Sequence, residues 1–347
     1  MNKNLYNKKN KTQLLDKLEN EKFKRITCSF YKYVELSNLI DLRNEIFEKW
    51  AELEILGRVY IAEEGINAQI SVPKQNIKKF KKYINSKLFF RDILIKAAIK
   101  EGLSFYKLTV KIKNEIVAYR LKKDEYNIKK VGNHLNYKEF HNKIDKGAII
   151  VDVRNDYESE IGHFKNALLP KVEKSDELLP EIKKMLKGKE KQAILMYCTG
   201  GIRCEKASSY LIKNGYKNVN QLNGGIIQYA HDIKMNKIKS RFIGTNFVFD
   251  HRFGEQITND IISNCHQCNS PANRYLDCAN QACHILFIQC LKCSKKYNNC
   301  CTKECADFIQ LSEQHQKKII KSKKFSFSAQ KTNKIKPKLK ELRLKGN

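Results

Sequence analysis

The chain lacks any stretch approaching the roughly 18 consecutive apolar residues of a membrane-spanning helix. Its start, Met1 to Lys11, is rich in Lys and Asn and has no apolar core of the kind a secretory leader carries. These two absences predict a cytoplasmic protein with no membrane partner and with reduced cysteines. Acidic residues are also scarce: 37 Asp and Glu stand against 67 Lys and Arg, a formal charge of +30. A charge this large excludes an acidic, self-repelling chain and favours contact with a polyanion. Arginine is itself uncommon, at 11 of the 67, so part of the excess is lysine of the kind that AT-rich codon usage produces. No flavin or nicotinamide fingerprint occurs. The eight histidines are too dispersed to suggest a two-His-one-carboxylate iron site.

What is present is a cysteine in an unusual setting. The apolar run Ala193-Ile194-Leu195-Met196-Tyr197 reads as a buried strand and delivers Cys198 into Thr199-Gly200-Gly201-Ile202-Arg203. Glu205 to Ile212 reads as the helix that follows. Successive backbone N–H groups in such a loop form an anion-binding nest, to which the helix start adds partial positive charge. A thiol placed there loses its proton readily and becomes a nucleophile. Cys198 is therefore the candidate catalytic residue and Arg203 the candidate anion stabiliser. Gly200 and Gly201 shape the loop, and Cys204 is either a resolving thiol or a core residue. A second strand ends at Asp152-Val153-Arg154, and its end could meet Cys198 at one crevice. Asp152 and Arg154 are read either as substrate contacts or as a structural ion pair.

The remaining elements suggest three folded parts between two polar ends. Residues 1–24 read as a flexible basic arm. Over 25–120 the order is strand (Ile26 to Tyr33), helix (Leu36 to Leu56), strand (Arg58 to Ala62), strand (Ile66 to Val72), helix from Pro73 to Asn85, and strand (Phe105 to Ile112). This β-α-β-β-α-β order is that of a ferredoxin-like, acylphosphatase-like sandwich. Over 125–235, helices alternate with short apolar strands, which predicts a parallel sheet covered on both faces. Nine of the twelve cysteines fall between Cys265 and Cys305, within a segment at 240–312. Cys265-x-x-Cys268 and Cys290-x-x-Cys293 have metal-knuckle spacing, and Cys278, Cys283, Cys301 and Cys305 supply a second set. Cys300 exceeds the eight places that two ions need, while His266 and His284 are spare. The expected group is structural zinc, with an iron–sulfur cluster as the rival for Cys₄ sites. Residues 313–347 read as a basic disordered tail able to lie along phosphates. Arg58, Lys107 and Arg120 are further candidates for phosphate contact.

Asp152-Val153-Arg154, Glu158, Gly162-His163-Phe164, Ala167, the Cys198 loop and Leu222-x-Gly224-Gly225-Ile226 resemble a rhodanese domain, in order. The four residues between Cys198 and Arg203 resemble a sulfurtransferase loop; the related phosphatases have one residue more. Gly57 to Ala62, Glu64 to Pro73, Met196 to Ser208, Arg241-Phe242-Ile243-Gly244 through Asp250, and the block from Cys265 to Cys305 extend the likeness. Over about residues 25–305 the chain resembles the bacterial tRNA uridine hydroxylase family. That resemblance implies a ferredoxin-like domain, a rhodanese domain and a cysteine cluster. It also implies oxygen-dependent hydroxylation of the wobble uridine at carbon 5, with Cys198 as the essential cysteine, molecular oxygen as co-substrate and tRNA as partner. No obligate protein partner is implied. Where many members carry Thr-Phe-Arg after the His-Phe motif, this chain has Ser175-Asp176-Glu177-Leu178, expected to border the active site. The Cys198 loop alone suits two other readings: a persulfide-carrying sulfurtransferase, and, were the loop idle, a zinc-dependent RNA-binding regulator.

Overall fold

The computed structural model describes residues 10–172 and 174–322. Its first element, α1 (Lys11–Glu19), lies where the sequence suggests a flexible arm. Two local features account for the helix. Asn10 and Gln13 form a reciprocal capping box, and Leu14 and Leu18, one turn apart, are both buried. At the other end, α11 (Glu313–Lys321) is a helix capped by Ser312, inside the span read as a disordered tail. Its i,i+4 pair Lys317–Glu313 supports it, and none of its side chains is buried. The rest of the tail, 323–347, and residues 1–9 of the arm lie outside the described residues.

The first sheet contains β1 (Arg25–Tyr33), β2 (Leu56–Ala62), β3 (Gly65–Pro73), β4 (Lys96–Ala97) and β5 (Leu108–Ile112), in the order β4-β1-β3-β2-β5. The alternation of β1, β2 and β3 is strict. Phe30, Val59, Ile61, Ala68 and Ile70 pack with Ile46 and Trp50 of α2 (Leu39–Glu52) and with Phe80 and Ile84 of α3 (Ile77–Ser86). The residues between them, Thr27, Ser29, Tyr31, Arg58, Tyr60, Asn67 and Gln69, face away from both helices, because side chains alternate along a strand. The architecture is the expected β-α-β-β-α-β unit, but its closing strand is not Phe105 to Ile112. The two-residue β4 closes the unit, antiparallel to β1. The strand beginning at Leu108 adds to the far edge, parallel to β2. Pro73 ends β3 instead of opening a helix, and a 3₁₀ turn, Lys74–Asn76, leads into α3.

The second sheet contains β6 (Asn133–Leu135), β7 (Ile149–Asp152), β9 (Ala193–Tyr197) and β10 (Asn218–Leu222), all parallel, in the order β6-β10-β9-β7. Both faces are covered, as near-continuous apolar strands require. On one face Ile194 and Met196 pack with α6 (Ser175–Met185) and α7 (Ile202–Lys213). On the other, Leu195 and Tyr197 pack with α4 (Tyr137–Asp145) and α8 (Gly225–Met235). Helix α5 (Asp156–Ser159) follows β7. A third sheet, β12 (Gly254–Gln256), β11 (Phe242–Phe247) and β8 (Gly162–Phe164), carries the chain towards a cysteine-rich end. There β13 (Tyr275–Asp277) and β14 (Leu286–Ile288) form a hairpin beside α9 (Leu291–Lys296) and α10 (Lys303–Ile309). Among the described residues no helix is long and apolar enough to cross a membrane.

Polar contacts join the first two sheets. The buried Lys206 ammonium on α7 bonds Glu64 at 2.9 Å and Glu115 at 2.7 Å. Tyr33 and Tyr119 donate hydroxyl hydrogen bonds to the carbonyls of Ile202 and Arg203, each at 3.3 Å.

Candidate active site at the Cys198 loop

β9 ends at Tyr197, and the next residue, Cys198, is fully buried in the protein. The loop is short because α7 begins at Ile202, earlier than the sequence suggests; Arg203 and Cys204 thus stand in its first turn. Gly201 has φ +98°, a conformation that disfavours side chains, and a Cβ there would lie 2.8 Å from the Tyr31 hydroxyl. Gly201 N–H donates to Cys198 Sγ at 3.1 Å. The start of α8 closes the loop from the other side, where Ile226 and Ile227 N–H donate to the carbonyls of Cys198 and Thr199 at 3.0 and 3.1 Å.

Burial alone would push the Cys198 thiol up. The Cys204 thiol, the Arg203 charge and the backbone N–H groups of Arg203 and Cys204 outweigh it and bring Cys198 down to about 6. Cys204, buried and next to Cys198, is pushed well up and stays a thiol. Arg203 is held by a two-pronged bridge to Glu158, at 2.5 and 2.8 Å, and reaches Thr199 Oγ1 at 3.4 Å. Glu158 in turn caps α5.

Asp152 and Arg154 form a different unit. Both are fully buried, joined by bonds of 2.8 and 2.7 Å, with Tyr197 Oη donating to Asp152 at 2.7 Å and Arg154 donating to the Gly162 carbonyl at 2.7 Å. Neither lines the cavity in front of Cys198. The pair ties the end of β7 to β8 and to the last residue of β9.

That cavity has a volume of about 350 Å³, within the range of small-molecule sites. Cys198, Thr199, Gly200 and Arg203 form one wall. The polar face of the first sheet forms a second, and Val248, Phe249, Asp250, Arg252 and Glu255 a third. Arg252 is paired with Asp250 and with Glu255, each at 2.5 Å. Arg58 lines the cavity and is exposed. Lys107 is exposed on the neighbouring strand edge, two residues before Thr109, which pairs in register with Arg58. Arg120 is exposed and bridges Asp176 at 3.0 Å, next to Ser175, which lines the cavity. The departure from the family pattern at Ser175 to Leu178 therefore does border this site, as the first turn of α6.

Tyr31 and Lys96 are among the cavity residues that carry no site signal in the sequence. Tyr31 donates to Glu205 Oε1 at 2.9 Å, and Lys96 sits with its ammonium 4.8 Å from the Tyr31 ring centre. The alternation of β1 marks Tyr31 once the buried face is known. Lys96 carries no such signal, because a two-residue strand has no period.

Eight of the nine clustered cysteines form two sets, Cys265, Cys268, Cys290 and Cys293, and Cys278, Cys283, Cys301 and Cys305. Within each, the Sγ atoms all lie within 4.8 Å of one another. Tetrahedral thiolates with metal–sulfur bonds near 2.3 Å stand roughly 3.8 Å apart. The separations Cys268–Cys290 at 3.6 Å, Cys283–Cys301 at 3.6 Å and Cys301–Cys305 at 3.8 Å fit that geometry. Each set could hold one metal ion with four sulfur ligands. Cys300 belongs to neither; its carbonyl accepts from Gln267 and Gln289 at 3.0 and 3.1 Å. His266 is no ligand here and instead bonds Glu160 at 3.0 Å. His284 and Cys28 also stand outside both sets. Tyr275 donates to Glu160 at 2.6 Å and to the Tyr157 carbonyl at 2.9 Å, so the cysteine-rich end braces the segment that carries Glu158.

Comparison with known proteins agrees with this division. Residues 25–116 match the UPF0176 acylphosphatase-like domain, 136–232 the rhodanese-like domain and 243–306 the rhodanese C-terminal family. A protein of Leptospira interrogans named tRNA uridine(34) hydroxylase is 48% identical over 340 residues, 97% of this chain and 93% of its own. One of the same name from Photorhabdus laumondii is 40% identical over 316 residues, 90% of each. Among solved structures, a rhodanese-like domain protein of Staphylococcus aureus is 27% identical, covers 28% of this chain and 90% of its own, and has a TM-score of 0.24. Identity of this degree over nearly the whole length leaves one conclusion: the chain is an enzyme and belongs to the tRNA uridine(34) hydroxylase family.

Proposed function

We propose that this enzyme hydroxylates the wobble uridine, position 34 of tRNA, at carbon 5, with molecular oxygen as co-substrate and Cys198 as nucleophile. The observation that carries the reading is a thiol lowered to about 6 that lines a cavity large enough for a small flat ring. The names of relatives at 40% and 48% identity support the substrate. The thiolate adds to carbon 6 of the uracil ring, and carbon 5 becomes electron-rich, the atom that takes oxygen. Arg203, the loop N–H groups and the start of α7 favour negative charge in this region. Overall, one oxygen atom enters the C–H bond and the other leaves as water, with two electrons from an external reductant. A base extruded from the anticodon loop would enter the cavity while Arg58, Lys107 and Arg120 meet phosphates around it. Asp152 and Arg154 support the loop without touching substrate, and Gly200 and Gly201 give it its shape. The two Cys₄ sets would hold structural zinc, which with four sulfur ligands would brace the fold. The protein works on tRNA in the cytoplasm.

The test is a reaction of the purified chain with unmodified tRNA under ¹⁸O₂. A heavy 5-hydroxyuridine at position 34 is expected. The same yield without oxygen, or label arriving only from water, overturns the oxygen reading. A second reading, a persulfide-carrying sulfurtransferase, is favoured by the Gly201 N–H aimed at Cys198 Sγ, since that donor also suits a persulfide. Thiosulfate-dependent thiocyanate formation without any uridine oxidation would select it.

A further inference from the structure

Four cationic side chains line the cavity, and two have carboxylate partners: Arg203 with Glu158, and Arg252 with Asp250 and Glu255. Arg58 and Lys96 have none among the described residues. Arg58 is exposed and free to meet a phosphate. Lys96 is not, since it is only 5% exposed. Its ammonium makes no hydrogen bond or ion pair among the described residues, the charges acting on it being those of Cys198 and Glu205, so a ligand oxygen in the cavity would use its free donors. The face of Tyr31, 4.8 Å away, compensates in part for its burial.

The position of Lys96 is fixed by its neighbours. β4 pairs with β1, Lys96 opposite Ser29, which directs the side chain across the polar face of the first sheet. Its stem runs past the two glycine turns of the thiol site. A Cβ on Gly200 would lie 3.8 Å from its Cε, and one on Gly224 3.6 Å from its Cδ. The lysine thus comes from one sheet and ends beside the nucleophile loop of another. The sulfur of Cys198 already has its own donors in Gly201, Arg203 and Cys204.

We propose that Lys96 is the cationic hydrogen-bond donor to the carbonyl oxygen O4 of the uracil held in this cavity, and that it stabilises the charge which builds on that oxygen when Cys198 adds to the ring. The inference rests on the nucleophilic role proposed above for Cys198. In the addition, a sulfur lone pair forms the S–C6 bond. The C5=C6 pair shifts to join C4 and C5, and the C4=O4 pair moves onto O4. The negative charge leaves sulfur and arrives on oxygen, no oxidant is consumed, and the ammonium is hydrogen-bonded to the atom that gains the charge. Burial pulls Lys96 down to about 8, against the opposing fields of Cys198 and Glu205. The other ionisable groups lining the cavity are Cys28, Tyr31, Arg58, Tyr60, Tyr157, Arg203, Asp250, Arg252 and Glu255. Thiolate above about 6 and ammonium below about 8 coexist near neutral pH.

An anticodon stem-loop RNA carrying 5-fluorouridine at the wobble position tests this without any oxidation. Fluorine at carbon 5 draws electrons from carbon 6 and leaves it open to the thiolate, and a solvent proton taken up at carbon 5 converts the enolate into a neutral 5,6-dihydro adduct that is read on a denaturing gel. The full chain should form the adduct, and Cys198→Ser should form none. Lys96→Met should form it about 100-fold more slowly, the loss expected for one oxyanion donor. It should keep its RNA affinity and stay slow even where Cys198 is fully thiolate, and Lys96→Arg should regain part of the rate. A Lys96→Met rate equal to wild type overturns the proposal. So does an RNA affinity that falls in step with the rate, or a rate loss that vanishes once Cys198 is fully thiolate, which would make Lys96 a partner of the thiolate alone. Absence of an adduct in the wild-type chain, or an unchanged adduct with Cys198→Ser, instead overturns the reading of Cys198 on which the inference rests.

Discussion

At the level of single residues, the decisive balance is at Cys198, where burial and local positive charge oppose each other. Charge and hydrogen bonding win, and the thiol falls from 9.0 to about 6. The sign is that of an acid whose charged form is favoured, so reactive thiolate is present above about pH 6 and is lost below it. Alkylation of Cys198 by iodoacetamide should therefore rise through a midpoint near 6; a midpoint near 9 would show that the loop does not activate it. Cys198 and Arg203 were legible in the sequence because the strand, the glycines and the arginine lie within a few consecutive residues. Glu158, which fixes Arg203, was visible only as a matched position. Lys96 and Tyr31 were not legible as site residues, since they reach the thiol from another sheet and no local pattern encodes that approach.

Elements position these residues through backbone geometry. Gly225, the first residue of α8, has φ +67°, and a Cβ there would lie 2.5 Å from the Cys198 carbonyl oxygen and 2.8 Å from Gly201 N. Both atoms belong to the nucleophile loop and cannot yield without moving it. Gly225→Ala should cost about 2 kcal/mol or more and abolish hydroxylation; a variant with wild-type denaturant stability and activity would contradict this placement. Long strands could be read because apolar and polar residues alternate on β1, β2 and β3, and because β9 is apolar throughout. Short elements could not. The two residues of β4 have no period, so the sequence pattern points instead to the more apolar Phe105 to Ile112 as the closing strand. Helix α1 was hidden by its polar composition, although the capping pair Asn10 and Gln13 was there to be noticed.

For the molecule as a whole, the cavity exists only where its parts meet. Lys206 stands at that junction with Glu64 and Glu115. Lys206→Met would leave two facing carboxylates without their cation, and a loss of about 3 kcal/mol is expected in equilibrium denaturation. A loss under about 0.5 kcal/mol, the scale of an exposed pair, would refute a role in holding the two sheets together. The cysteine-rich end contributes from outside, through Tyr275 and His266 on Glu160. Elemental analysis should give two zinc ions per chain, and their removal by a chelator should lower hydroxylation as that brace loosens. One ion, iron in place of zinc, or full activity after removal would contradict this. The central claim is that Cys198 hydroxylates the wobble uridine, and mass spectrometry of tRNA nucleosides tests it most directly, in cells lacking this protein and re-supplied with wild type or Cys198→Ser. The account predicts that 5-oxygenated wobble uridines return with wild type only. Their return with Cys198→Ser, or unchanged levels throughout with thiolated uridines lost in the deletion, would contradict it.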